Sequence, residues 1–186
     1  MTDDAEAGML STTPTASADS VASESTPHPA QPFPALTAAI AVLVVAIDQL
    51  TKRWALSSLT GRPPRHVIWT LQWNLTRNSG MAFSKAQGIG PLIGIVAMLV
   101  VLWLAWTSRK LTGRTTAVAA GLIAGGALGN LADRLFRGGH PLRGSVIDFI
   151  DFQWFPIFNI ADSAIDIGGL LFVLYTVVGH RKMRAA

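Results

Sequence analysis

From residue 34 onward, hydrophobic and polar positions fall into two patterns. Four long apolar stretches run from Pro34 to Leu59, Gly88 to Thr107, Thr115 to Leu135, and from near Pro156 to near Gly179. Each comes close to the ~20 residues that a helix needs to cross a bilayer. The second is the cleanest, while the first and third admit polar groups at one end. Between the first two stretches the period changes. Val67, Trp69, Leu71, Trp73 and Leu75 alternate with Ile68, Thr70, Gln72, Asn74 and Thr76, which predicts a half-buried strand closed by the Asn78-Ser79-Gly80 turn. An open sheet edge cannot face lipid, so this strand is expected in a small sheet on the membrane surface, with Trp69 and Trp73 at the boundary with water. Residues 1–33 have no such periodicity and are rich in Ser, Thr, Ala and Pro. They read as a disordered acidic tail, and lack the basic start and apolar region of a secretory signal.

The pattern therefore predicts an all-α membrane protein with four transmembrane helices and a small β-sheet. Its parts are a tail over 1–33, a membrane domain over 34–180 and a basic C-terminal tail over 181–186. Half of the 186 residues are hydrophobic and only 14% are charged. There is no cysteine, which excludes disulfides, thiolate metal sites and a cysteine nucleophile. Charge is unevenly placed. Residues 1–32 carry five acids and no Lys or Arg, a charge of −5, and the remainder carries all 15 basic residues against six aspartates, +9. In a membrane chain that balance points to anionic lipid headgroups rather than nucleic acid. Counting Lys and Arg does not fix orientation. Six lie in the second connection and the C-terminal tail, and nine in the other two connections.

The six aspartates of the membrane part are Asp48, Asp133, Asp148, Asp151, Asp162 and Asp166, and no glutamate accompanies them. A carboxylate in a spanning segment is costly, so each needs a reason. Asp48 and Lys52 are four apart, in the favourable order for a helical ion pair. They serve as a pair at the helix end, or they orient site residues or a lipid headgroup. Asn130 and Asp133 share a face of the third helix. Asp133, beside Arg134, is expected to stay ionised and to support the site rather than donate a proton, while Gly125 and Gly129 let another backbone approach. Asp148 lies between Ile147 and Phe149, with Asp151 three residues on. Apolar flanks desolvate a carboxyl and suit it to acid–base work. The alternative is a pair of aspartates solvating the approach to the last helix. Asn159, Asp162 and Asp166 recur at helical spacing, so one face of that helix is polar. If Asp148 packs beside this helix entrance, Asp148 and Asp162 form a dyad sharing one proton, suited to amide hydrolysis. Four scattered histidines, no partnered serine and no phosphate-binding loop leave other chemistries without residues. A proton-coupled transporter or channel using Asp162 and Asp166 as a relay is the alternative function, and a non-catalytic assembly subunit a further one.

Five motifs now stand in order: Asp48-Gln49-x-x-Lys52, Asn78-Ser79-Gly80-x-Ala82-Phe83-Ser84, Gly125-Gly126-Ala127-x-Gly129-Asn130-x-x-Asp133-Arg134, Val146-Ile147-Asp148-Phe149, and Phe158-Asn159-x-Ala161-Asp162-Ser163. Over roughly residues 36 to 178 the chain resembles lipoprotein signal peptidase, or signal peptidase II, of bacteria. The resemblance implies an aspartic endopeptidase of the cytoplasmic membrane, with both termini cytoplasmic and the site, sheet and loop at the extracytoplasmic face. Its substrates would be diacylglyceryl-modified prolipoproteins, cut just before the lipidated cysteine, with membrane phospholipid as the surrounding partner. No nucleic acid, metal or cofactor is implied, and a monomer is expected. The resemblance makes Asp148 and Asp162 catalytic. It gives supporting or substrate-side roles to Asp48, Lys52, Asn78, Gly80, Asn130, Asp133, Arg134 and Asn159. Only 14 positions separate Asp148 from Asp162, so a short loop over the site is expected. Asp166 falls outside the motif, and lining a wet cavity is its favoured reading.

Overall fold

The computed structural model describes residues 32–80 and 90–185. The tail up to residue 31 and the Ala82-Phe83-Ser84 part of the second motif lie outside them. Seven elements follow in order: α1 Pro34–Leu59, β1 Arg65–Ile68, β2 Leu71–Asn78, α2 Gly90–Thr107, α3 Arg114–Phe136, β3 Val146–Asp151 and α4 Ile160–Ala185. All four helices contain a segment long and apolar enough to cross a membrane, as the hydrophobic pattern predicts.

The helix at the centre is α3. Of its apolar segment 61% is buried, against 22% for α1 and 17% each for α2 and α4. The cause is composition: Ala117, Ala120, Gly121, Ala124, Gly125, Ala127 and Gly129 are all buried. Small side chains let backbones come close where no hydrophobic force acts between helices. A Cβ at Gly125 would press on Ala41 and Val44 of α1, and one at Gly126 would strike the Ala161 carbonyl of α4. Thr37 adds a hydroxyl bond of 3.2 Å from α1 to the Ala117 carbonyl. The second helix packs on α3 and, among the described residues, its backbone comes close to neither α1 nor α4.

The strand predicted over 67–76 is a hairpin. The chain reverses at Trp69-Thr70, so that Ile68 pairs with Leu71, and Trp69 takes φ 51°. One local and one distant contact hold the turn: His66 Nε2 lies 2.8 Å from the Trp69 carbonyl, and the Gln153 amide donates to the Thr70 carbonyl at 2.9 Å. Tight turns usually announce themselves with Gly, Asn or Asp, whereas Trp and Thr are strand formers, so the alternation ran through the reversal unmarked.

A third strand went unpredicted. Val146–Asp151 pairs antiparallel with β2, giving the order β1-β2-β3. Trp54 from α1 meets Trp73 edge-on at 5.5 Å and Phe149 at 5.9 Å, which seats the sheet on the end of the helix. Beyond β3 the chain doubles back, and Phe158 exchanges backbone bonds with Ile150. This return, rather than helix, occupies residues 156–159, so α4 starts at Ile160 and not near Pro156. At the other end α4 continues to Ala185, through most of the residues expected to form a basic tail.

Candidate active site

The returning segment brings Asn159 against β3. Asn159 is the residue before the first turn of α4, not part of the helix as its spacing suggested. Its Oδ1 accepts the Asp162 N–H at 3.0 Å, and its own N–H donates to Asp162 Oδ2 at 3.2 Å. This reciprocal arrangement is a capping box, in which two unpaired donors at a helix start are satisfied at once. The Asn159 side-chain amide then donates to Asp148 Oδ1 at 2.6 Å and to Asn130 Oδ1 at 3.2 Å. One residue therefore holds both carboxylates, one by its side chain and one by its backbone.

Each carboxylate has a second amide. Asn78, at the end of β2, donates to Asp148 Oδ2 at 3.1 Å, and its own Oδ1 accepts the Gly80 N–H at 2.9 Å. Gly80 has φ 100°, and a Cβ there would collide with the backbone of Gly90, so the turn needs glycine. Asn130 of α3 donates to Asp162 Oδ1 at 2.7 Å. Burial is the largest influence on Asp148 and raises its carboxyl. The Asn78 amide draws it down, the charge of Asp162 pushes it up, and Asn159 and Lys52 draw it down, for a net value of about 6.

Asp148 and Asp162 both line a cavity of about 340 Å³. Asn78, Asn130 and Arg134 complete its polar end. The rest is apolar: Ile93, Val96, Ala97 and Val100 from α2, Ile123, Ala127 and Leu131 from α3, Val146 from β3, and Ile165 from α4. Arg134 is almost fully buried, and its Nη1 has no hydrogen-bond partner among the described residues.

Behind the carboxylates lies an ionic cluster, buried except at Arg137. Lys52 bridges Asp48 and Asp133 at 2.9 Å each, and all three are fully buried. Asp48 also accepts the Ala161 N–H at 3.1 Å, tying α1 to the start of α4. Asp133 accepts the Ile147 N–H of β3 at 3.1 Å. Its second cation is Arg137, one helical turn on at 2.5 Å, and not the adjacent Arg134 as expected. Gln49 fills the remaining gap, donating to Asp133 at 3.2 Å and accepting from Arg137 at 3.2 Å. Arg137 and Gln49 are the members that sequence reasoning missed. The i,i+4 rule that linked Asp48 to Lys52 applies equally to Asp133 and Arg137.

The other two aspartates stand apart. Burial pushes Asp151 up, but amides of Asn74 and Gln72 and the Gln153 N–H outweigh it and leave its carboxyl below the usual range. Those same bonds, at 2.7 to 2.9 Å, knit the far end of the sheet together. Asp166 is exposed on α4 and does not line the cavity, contrary to its favoured reading.

Comparison with known proteins identifies the family. Residues 40–178 match the family described as signal peptidase (SPase) II. The chain is 41% identical to the lipoprotein signal peptidase of Mycobacterium avium (strain 104), over 78% of this chain and 80% of that one. It is 42% identical to that of Rhodococcus jostii (strain RHA1), over 75% and 71%. Among solved structures, a bacterial membrane enzyme determined at 1.9 Å superposes with a TM-score of 0.68 at 32% identity, covering 79% of this chain and 96% of that one. The relay alternative through Asp162 and Asp166 finds no support in these relatives. A four-helix membrane chain with this ordered set of buried polar residues, matched over most of its length, belongs to the signal peptidase II family.

Proposed function

We propose that this membrane peptidase removes signal peptides from lipid-modified prolipoproteins by aspartic chemistry, with Asp148 and Asp162 as the catalytic pair. One observation carries the reading: two carboxylates from different elements, β3 and α4, are both bonded to Asn159 and open into one cavity. Charge balance supports it. Asp48 and Asp133 oppose Lys52, Arg134 and the partly exposed Arg137, so the cluster is neutral when the pair carries one negative charge and one proton. Two neighbouring carboxyls that share a proton are the general acid and base of amide hydrolysis.

The ionised carboxylate takes a proton from water as the oxygen attacks the scissile carbonyl carbon. Its protonated partner gives its proton to the carbonyl oxygen, forming a diol. Collapse breaks the C–N bond: the first carboxyl passes its proton to the departing nitrogen, and the second recovers one from a diol hydroxyl. The pair ends as it began. Arg134 supplies a buried donor for a substrate carbonyl, Asn78 and Gly80 shape the substrate-side turn, and Asn130 and Asn159 hold the carboxylates. Asp48, Lys52 and Asp133 form the support beneath. Acyl chains of the substrate occupy the apolar part of the cavity, and this remote binding energy aligns the amide before the lipidated cysteine. The sheet and site face outward from a bacterial cytoplasmic membrane and both termini face the cytoplasm. A monomer surrounded by phospholipid is the working unit of this proposal.

Purified Asp148→Asn and Asp162→Asn variants, assayed on a lipidated prolipoprotein peptide, should lose turnover by at least ~10³-fold, on the scale of losing an acid–base group. Cleavage at the original rate by either variant would defeat the proposal.

A further inference from the structure

We propose that Lys52 is a positioning residue for hydrolysis, acting through Asn130: its ammonium fixes the Asn130 amide so that the NH₂ group can only face Asp162. The inference rests on Asp162 being a catalytic carboxylate. An ammonium donates three hydrogen bonds and accepts none, so whichever Asn130 atom meets it must be the carbonyl oxygen. Lys52 Nζ lies 2.9 Å from Asn130 Oδ1 and 2.9 Å from each of Asp48 Oδ2 and Asp133 Oδ2. All three of its protons are committed, and the side chain is fully buried. With Oδ1 turned to Lys52, Nδ2 points the other way and donates to Asp162 Oδ1 at 2.7 Å.

Asn159 Nδ2 also donates to Asn130 Oδ1, at the longer 3.2 Å and without charge, and without the ammonium that bond alone opposes a second choice for the amide. A flipped Asn130 could accept a proton from a protonated Asp162, a state that leaves the pair with no base there. Lys52 removes that choice and holds Asn130 as a donor through the catalytic cycle, so the carboxylate stays oriented when its charge changes. The buried cation thus does more than neutralise Asp48 and Asp133. It transmits a fixed direction across one amide to the reacting group, without touching substrate.

A double-mutant cycle separates this from a purely structural role, because residues acting in one chain are non-additive. Lys52→Met should lower kcat by ~10²-fold, the cost of a misplaced reacting group, and leave KM within about two-fold. Asn130→Ala should do the same, and the Lys52→Met/Asn130→Ala double variant should be no slower than about three-fold below the worse single. Lys52→Met leaves two buried carboxylates unpaired and can fail to fold. The cycle is therefore repeated in an Asp48→Asn background, where the buried charge is better matched and kcat of the folded enzyme is compared with that background. Multiplying losses, an unchanged kcat in folded Lys52→Met, or a loss confined to KM would each overturn the inference. If Asp162→Asn itself retained turnover, the catalytic reading would fail instead, a distinguishable result.

Discussion

At the scale of single residues, the proposed pairing of Asp148 with Asp162 carries a pH dependence. A pair that needs one proton loses activity as that proton leaves, and burial places the Asp148 ionisation at about 6. In the free enzyme kcat/KM should therefore fall on the alkaline side of about pH 6. Asn78 offers a test of sign. Its amide donates to Asp148 and favours the ionised form. Asn78→Ala removes that bond and leaves burial less opposed, so the proton is held to higher pH. The alkaline limb should move upward by on the order of one pH unit, the equivalent of roughly 1.4 kcal/mol. A limb that stays in place or moves down would show that Asn78 does not govern the ionisation. Both carboxyls stood out as candidates in the chain alone, because acids within apolar sequence are rare. The partners were less so. Adjacency in the chain pointed to Arg134 as the cation for Asp133, whereas helical geometry turns consecutive side chains about 100° apart and hands the role to Arg137.

Between elements, the site depends on a few polar side chains that cross from one to another. Asp133 is the busiest: from α3 it reaches Lys52 and Gln49 on α1 and the backbone of Ile147 on β3. Neutralising it leaves Lys52 and Arg137 facing one buried charge fewer. Breaking such a buried pair costs about 3–5 kcal/mol. Asp133→Asn should thus lower the unfolding midpoint by roughly 10 °C while the folded fraction keeps turnover within about ten-fold. Thermal scans beside active-site-normalised kcat measure both, and lost turnover at an unchanged midpoint would contradict the assignment. The four helices were legible because lipid demands long apolar runs. The sheet was legible only in part. Its middle strand carries the period-two pattern, but the reversal at Trp69-Thr70 rests on a local contact from His66 and a tertiary bond from Gln153. The strand Val146–Asp151 is buried at five of its six positions, so its pattern reads as an apolar run broken by two acids rather than as an alternation.

For the molecule as a whole, the arrangement of helices decides how a lipid-bearing substrate reaches the carboxylates. With α3 at the centre, α1 and α4 pack closely against it through small residues, and α2 stands off, its backbone close to α3 alone among the described helices. The gap between α2 and α4 has α3 as its back wall, the polar residues at one end and aliphatic side chains along its length. A substrate anchored by acyl chains cannot leave the bilayer cheaply, at about 0.8 kcal/mol for each methylene withdrawn. Entry sideways, between α2 and α4, avoids that cost and brings the scissile amide to the polar end while the chains stay in apolar surroundings. Filling the gap should then obstruct binding rather than chemistry. Ala97 lines the cavity from α2, whereas Leu99 on the same helix is 58% exposed and points outward. Ala97→Trp should reduce kcat/KM for a lipidated substrate by at least ~10-fold, mainly through KM, since it removes binding made before the transition state. Leu99→Trp, which adds the same bulk on the outer surface, should leave both constants within about two-fold. If the two variants behave alike, the acyl chains travel by another route and the cavity between α2 and α4 is not their path.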